Sequence, residues 1–412
     1  MTAPMKGDNQ AHRDEDCSGK VPGGAVVRQG GDGDGKRRTM GPASAGQVRG
    51  AARAARVSGV RAPGGVRPVW HAAHLPLLAL AVVLVMAVAA GIGSVHIPPA
   101  EVAGILLRRL PFVSRGAEPT WWPASHEVIL LQVRLPRILL SAMVGASLSV
   151  AGAALQGLLR NPLADPYVAG VSAGAGLGAT IAMVAGVPLS VLGVGSVPIL
   201  AFITAVATMV VVYSIARVSG RLPTDTFLLA GVVVGSFLWA VISFLLVVSG
   251  DTLREAMMWL MGSLSGKGYA HVKMAFPYTA AGIAALVVLA RDFNLISLGD
   301  EEARYLGLDP EEFKRVAILA ASLVTAAAVS VGGIIGFVGL VVPHTMRLIL
   351  GPDHKVLMPA CVFAGAGFLV AADTLARVVV APGEIPVGVI TALAGGPFFL
   401  YLLRRRKTSG AL

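Results

Sequence analysis

Eight stretches of this chain carry no charged residue, at about 75–95, 138–159, 166–216, 226–250, 274–290, 316–346, 356–372 and 385–403. A run of about twenty apolar residues crosses a bilayer as a helix, because a helix satisfies its own backbone polar groups where water is absent. The third and sixth stretches are too long for one crossing. Each contains a breaker, Gly186-Val187-Pro188 in one and the region from Gly332-Gly333 to Gly336 in the other. Splitting both gives about ten transmembrane helices, one or two of them short, so the expected fold is an all-α polytopic membrane protein.

With 55% hydrophobic and 14% charged residues among 412, an ordinary soluble domain is excluded. The net charge of +11 raises the question of a nucleic-acid partner, but much of it lies in residues 1–70, which hold twelve Lys/Arg against six Asp/Glu. No basic patch calls for nucleic acid. That stretch is rich in Gly, Arg, Ala and Asp without hydrophobic periodicity, and is expected to be a disordered basic cytoplasmic tail. The membrane domain then covers 71–407, with a C-terminal tail at 408–412. An even number of crossings puts both termini on one side, and Lys/Arg fall 25 to 9 in favour of that side being the cytoplasm.

The segment RLPRILLSAMVGASLSVAGAALQGLLRNPLADP, from Arg134 to Pro166, carries Gly145, Gly152 and Gly157 with Ala and Ser between them. Small residues so spaced let another helix approach closely. LQGLLRNPLADPYVAGVSAGA (155–175) and GLVVPHTMRLILGPDHKVLMPACVFAGA (339–366) echo each other: each leaves an apolar helix, passes a proline and re-enters through a Gly/Ala-rich run. Because the helices preceding them run in opposite directions, inverted repeats are expected.

Several polar groups stand out at the ends of the apolar runs. Arg134 and Arg137 lie three apart at what reads as the outward end of a helix, so they share a face able to receive a carboxylate. Arg377, four residues after Asp373, ends the ninth span on the same side. An arginine fork pairs bidentately with a carboxylate, although an arginine at a helix end also simply snorkels to the interface. On the opposite side, Asp300, Glu301 and Glu302 open a helical turn through Ala303 and Leu306. Gly307 stops it, and Asp309-Pro310-Glu311 is expected to begin a second short helix. The apolar Tyr305, Leu306, Leu308 and Phe313 in this loop need a surface to cover. Asn161, Pro162 and Leu163 end the second span, and Thr224 and Asp225 open the fifth; Asn161 can also cap the helix that follows. His344 has no ligand-type neighbour at metal-binding spacing and is expected to pack near the break in the eighth span. Cys17 and Cys361 form no metal or disulfide pattern.

The chain resembles the permease subunits of type II ABC importers for iron-siderophores, haem and cobalamin, the FecCD-type transport permeases. The resemblance runs from about Leu75 to Lys407. It rests on RLPR (134–137), QGLLRNPLADP (156–166), GVSAGA (170–175), LLAG (228–231), WLMGSLSG (259–266), GFVGLVVPH with Arg347, DTLAR (373–377) and EIPVG (384–388). Ala169 departs from the larger aliphatic usual there. The resemblance implies that Arg134, Arg137 and Arg377 dock a periplasmic or lipid-anchored substrate-binding protein. It assigns Glu301, Glu302, Ala303, Leu306, Gly307, Leu308 and Phe313 to coupling with a cytoplasmic ABC ATPase dimer, and Asn161, Leu163 and Thr224 to a cytoplasmic gate. A homodimer or a heterodimer with a related permease, embedded in the lipids of a bacterial plasma (inner) membrane, is implied as well.

No GxxxxGK[ST] pattern occurs, so a partner subunit must hydrolyse the ATP, and no cofactor or metal is expected on this chain. No nucleophile-base pair or HExxH supports a membrane enzyme. The alternative is an ion- or proton-coupled secondary transporter, which needs a coupling acid at mid-membrane; the charge-free runs hold none.

Overall fold

The computed structural model of the protein describes residues 69–109, 121–191 and 193–408. The expected tails at 1–70 and 408–412 lie almost wholly outside these, as does Cys17. In chain order the helices are α1 (Val69–Gly91), α2 (Pro99–Arg108), α3 (Ala124–Leu158), α4 (Val171–Val184), α5 (Ser196–Ala216), α6 (Thr224–Val247) and α7 (Leu253–Leu260). Then follow α8 (Tyr269–Val288), α9 (Ala290–Ile296), α10 (Asp300–Tyr305), α11 (Pro310–Gly332), α12 (Val338–Leu350), α13 (His354–Val378) and α14 (Val387–Thr408). Among the described residues, seven helices are long and apolar enough to cross a membrane, and α4, α12 and α14 contribute shorter apolar stretches. The chain is an all-α polytopic membrane protein; among the described residues the β structure is the pair of two-residue strands Ser190–Val191 and Val194–Gly195 and one isolated bridge, Val218 to Arg221.

Both expected breaks are present. α4 stops at Val184 and α5 starts at Ser196. α11 stops at Gly332, whose successor Gly333 has φ of 71° and lies so close to Trp259 that an added Cβ would come within 2.3 Å of its carbonyl oxygen. Glycine is required there twice over, for the left-handed backbone and for the contact.

α3 is the axis of the fold. It is packed by α8, α11, α12 and α13, and nearly every residue from Pro136 to Leu158 is buried. Its glycines permit this. A Cβ on Gly145 would stand 2.2 Å from the Gly365 carbonyl oxygen on α13, and one on Gly152 would stand 1.8 Å from that of Gly339 on α12. Helices approach this closely only through residues without side chains, which brings their backbones into dispersion contact.

Two expectations are corrected. α3 begins at Ala124 rather than near 138, because a π turn at Ile129–Arg134 carries the helix through the charged RLPR motif, with Pro136 tolerated in the first turn of the α segment that follows. Arg134 and Arg137 therefore stand inside a helix, not at its end. Likewise, Asp309 does not open a second short helix: its carboxylate accepts from the backbone N–H groups of Glu311 and Glu312, and α11 runs unbroken from Pro310 to Gly332.

Candidate functional site

The charged groups gather at two places along α3, around Arg134 and Arg137 within it and at Arg160 just beyond its last turn. At the first, the Arg137 guanidinium donates from Nε and Nη2 to Asp373 at 2.9–3.0 Å and from Nη1 to both oxygens of Glu384 at 2.9 and 3.0 Å. Arg377 Nε lies 3.4 Å from the same Asp373, and its Nη2 donates to the Ala89 carbonyl and the Thr374 hydroxyl. Arg134 donates instead to the backbone carbonyls of Ala90, at 2.8 Å, and Val95. The three arginines are between 4% and 7% exposed. They do not snorkel; they turn inward, onto carboxylates and onto carbonyls left unpaired where α1 ends.

Three guanidiniums thus face two carboxylates, and positive charge remains. All three, with Glu384, Pro382 and Gly93, line a pocket of ≈ 190 Å³. Glu384 is the most accessible member, with its side chain 36% exposed. Burial works against its charge, but the Arg137 charge and hydrogen bonds outweigh that and hold the carboxyl below its ordinary range. The structure brings Arg134, Arg137 and Arg377 together as the sequence suggests. It adds Asp373 and Glu384 as direct partners of Arg137, from which they lie more than 230 residues away along the chain.

At the Arg160 end, the turn after α3 is closed by Asn161, whose side-chain oxygen accepts from the Leu163 N–H at 2.9 Å. Asn161 does not cap the following helix; Asp165 does, accepting from the Tyr167 N–H. Leu163 is exposed, and Thr224 is half-buried at the first turn of α6. The loop at 299–315 divides in two. Ala303 and Phe313 face inward, Phe313 meeting Phe293 edge-on with ring centroids 4.9 Å apart. Glu301, Glu302, Tyr305, Leu306 and Gly307 face outward, Tyr305 at 89% and Leu306 at 58% exposure, with Leu308 between. Phe313 is therefore covered by the chain itself, while Tyr305 and Leu306 remain bare.

The two echoing segments touch. Gln156 donates toward the carbonyls of Gly339 and Leu340 and accepts from Arg347 at 3.0 Å, and His354 packs against Gly157. Asn294 joins them, accepting from the His354 backbone N–H and donating to Asp353 at 2.7 Å. These groups border a cleft of ≈ 680 Å³ with Arg160 and Pro162 on its rim. Burial opposes the Asp353 charge, but bonds from Asn294 and the Lys355 N–H hold its carboxyl below the ordinary range. Sequence reasoning passed over Asn294 and His354, each of which lies in a segment singled out for other reasons, the long polar loop and the second echoing segment. His344 is buried in α12. Among the described residues no group of three or more His, Cys, Asp or Glu is placed to hold a metal ion.

The model of the FecCD transport family matches residues 79–405. The cobalamin import system permease protein BtuC of Halobacterium salinarum is 51% identical over 69% of this chain and 76% of its own length. The hemin transport system permease protein HmuU of Yersinia pestis is 41% identical over 68% of this chain and 84% of its own length. A solved structure described as an inward-facing conformation of a metal-chelate type ABC transporter superposes with a TM-score of 0.68 at 30% identity, covering 81% of this chain and 99% of the other. The chain belongs to the FecCD transport family and is a transport permease, not an enzyme.

Proposed function

We propose that this permease forms the translocation path of an ATP-driven importer for a metal chelate of the ferric siderophore, haem or cobalamin class. It pairs with a second copy or a related permease and works with two cytoplasmic ABC ATPases and a substrate-binding protein outside. The observation that carries the reading is the match across residues 79–405, joined to the exposed Tyr305-Leu306 surface of the 299–315 loop. The domain at 71–407 makes ten crossings of the inner membrane with both termini cytoplasmic, α4 and α12 being short crossings within inverted halves.

In this reading α3 is one continuous element between the two faces. The Arg137 cluster on it, with Arg134 and Arg377, takes acidic residues of the binding protein. Those acids meet the uncompensated positive charge and compete with Glu384 for Arg137. The Arg160 end of α3 leads into the gate at Asn161 and Leu163, opposite the Thr224 turn. Glu301, Glu302, Leu306, Gly307 and Leu308 meet the ATPase, while Ala303 and Phe313 anchor the loop to the helices that must move. ATP binding by the partner then shifts the balance between outward- and inward-open states.

The test is reconstitution with the ATPase and binding protein in proteoliposomes. Uptake of labelled cobalamin, haem or a ferric siderophore should depend on ATP. Gly307, at φ of 87° with open space around it, tolerates a side chain sterically but not conformationally. Gly307→Val should uncouple hydrolysis from uptake. Full coupling in that variant removes this loop from the mechanism, and no ATP-dependent uptake of any of the three substrates sinks the reading.

A further inference from the structure

Arg160 holds a backbone conformation suited to glycine. It follows the last turn of α3 with φ of 49°, in the left-handed region where a Cβ crowds the next carbonyl and where helices most often end on a glycine. Such an outlier persists only where the surrounding structure holds it. Here the Arg160 guanidinium donates to Asp300 Oδ1 at 2.7 Å. The other oxygen of Asp300 accepts from Lys314 Nζ. Lys314 also lies 3.5 Å from Glu311 Oε1, and Glu311 Oε2 accepts from the backbone N–H of Leu222 at 2.9 Å.

Four side chains therefore form a line. It starts at the turn after α3, passes through the first residue of α10 and the first turns of α11, and ends at the turn before α6. The lysine at its centre is only 9% exposed, while Arg160 and Asp300 are 46% and 30% exposed. The turn at 217–223 is otherwise closed on itself by the Val218–Arg221 bridge, so the Glu311 carboxylate is a tie from outside it. An exposed ion pair contributes little to stability, and an arginine in a left-handed position detracts from it. Glycine would serve the fold better. What glycine cannot do is join the turn to Asp300.

We infer that Arg160, Asp300, Lys314 and Glu311 are positioning residues that carry movement of the 300–314 segment to both pore turns at once, the one at 159–165 and the one at 217–223. This rests on the reading of that segment as the ATPase contact. Because one carboxylate, Asp300, serves both the arginine and the lysine, the two turns are driven together rather than in sequence.

The test compares Arg160→Gly, Asp300→Asn and Asp300→Glu in proteoliposomes holding the complete complex. The measured quantity is the ratio of ATP hydrolysis with the binding protein to that without it, alongside the melting temperature. Arg160→Gly should melt at or above the parental temperature and yet lose the stimulation. Asp300→Asn should lose it also, and Asp300→Glu should restore most of it. Parental ratios in both Arg160→Gly and Asp300→Asn overturn the inference. So does a loss of stimulation that comes only with a lowered melting temperature in both, the mark of a structural clasp. If Gly307→Val uncouples while these two variants do not, the relay falls and the coupling loop stands; if all three behave as the parent, both readings fall.

Discussion

Tyr167 uses one hydroxyl twice on the same residue, donating to the carbonyl of Ile335 at 2.9 Å and accepting from its N–H at 3.0 Å. Ile335 lies in the break between α11 and α12, and Tyr167 in the 3₁₀ turn that leads into α4, with Pro166 packed on Gly339 beside it. Each break exposes backbone groups that lipid cannot satisfy, and here the side chain of one break satisfies the other. Tyr167→Phe leaves a buried N–H and C=O without that partner, which costs about 1–3 kcal/mol for each group left unsatisfied. A melting temperature in detergent that does not fall would show that water replaces the hydroxyl.

The helical glycines divide by what a methyl group would meet. Gly152→Ala places a Cβ 1.8 Å from a backbone oxygen of α12, and no rotamer change relieves a clash with backbone. Gly235 on α6 has nothing within 4 Å. We expect Gly152→Ala to abolish accumulation of folded protein in membranes, and Gly235→Ala to leave it unchanged or raise stability by up to about 1 kcal/mol through helix propensity. Equal yields of the two would contradict the close α3–α12 crossing.

Arg137→Ala should destabilise far more than its single charge suggests, because it removes every close hydrogen bond to Asp373, which is 1% exposed, and leaves that carboxylate only the looser Arg377 contact at 3.4 Å. Removing one member of a buried pair costs about 3–5 kcal/mol. Arg109, which pairs with Glu127 at 3.0 Å with its own side chain 65% exposed, is the control: Arg109→Ala should cost under about 1 kcal/mol. Chemical unfolding of both variants in the same detergent decides it. It follows that Arg137 is a poor reporter of docking, since its loss damages the fold first.

Glu384→Gln is the better reporter. Removing the carboxylate leaves Arg137 facing only Asp373 and raises the positive charge of the pocket, so affinity for an acidic docking partner should rise, and the gain should shrink with salt. The same variant has a pH signature. Because the folded-state value of Glu384 is depressed, its contribution to stability is present above the ordinary carboxylate value of about 4.3 and is lost as pH falls through the depressed one. The melting-temperature difference between parent and variant should be constant from neutral pH to about 5 and vanish in stronger acid; a difference that persists there would mean the carboxylate is not what stabilises.

Hydrophobic runs and breakers located α4, α5, α11 and α12 because both signals are local. The start of α3 was missed for the opposite reason. Arg134 and Arg137 read as a membrane boundary until their partners are known, and Asp373, Glu384 and the α1 carbonyls are remote in sequence. Membership of the arginine cluster was legible, but its inward direction was not. At the other end, Phe313 looked like a docking residue because hydrophobicity alone does not reveal that Phe293 covers it. The Arg160–Asp300 pair was hidden altogether, since neither residue is unusual until the φ angle of one and the position of the other are seen.

The π turn at Ile129–Arg134 sets a phase. An α-helix advances about 100° per residue, and a π turn absorbs one residue without ending the helix. The residues before it are thereby rotated against those after it: His126 and Glu127 reach Glu101 and Arg109, while Arg134 and Arg137 reach inward to α1 and α13. Deleting one residue between 129 and 133 would retain every side chain named in this cluster and an unbroken helix. It would nonetheless turn the contacts to Glu101 and Arg109 out of register with the arginines, so the alignment of the two depends on a single surplus residue.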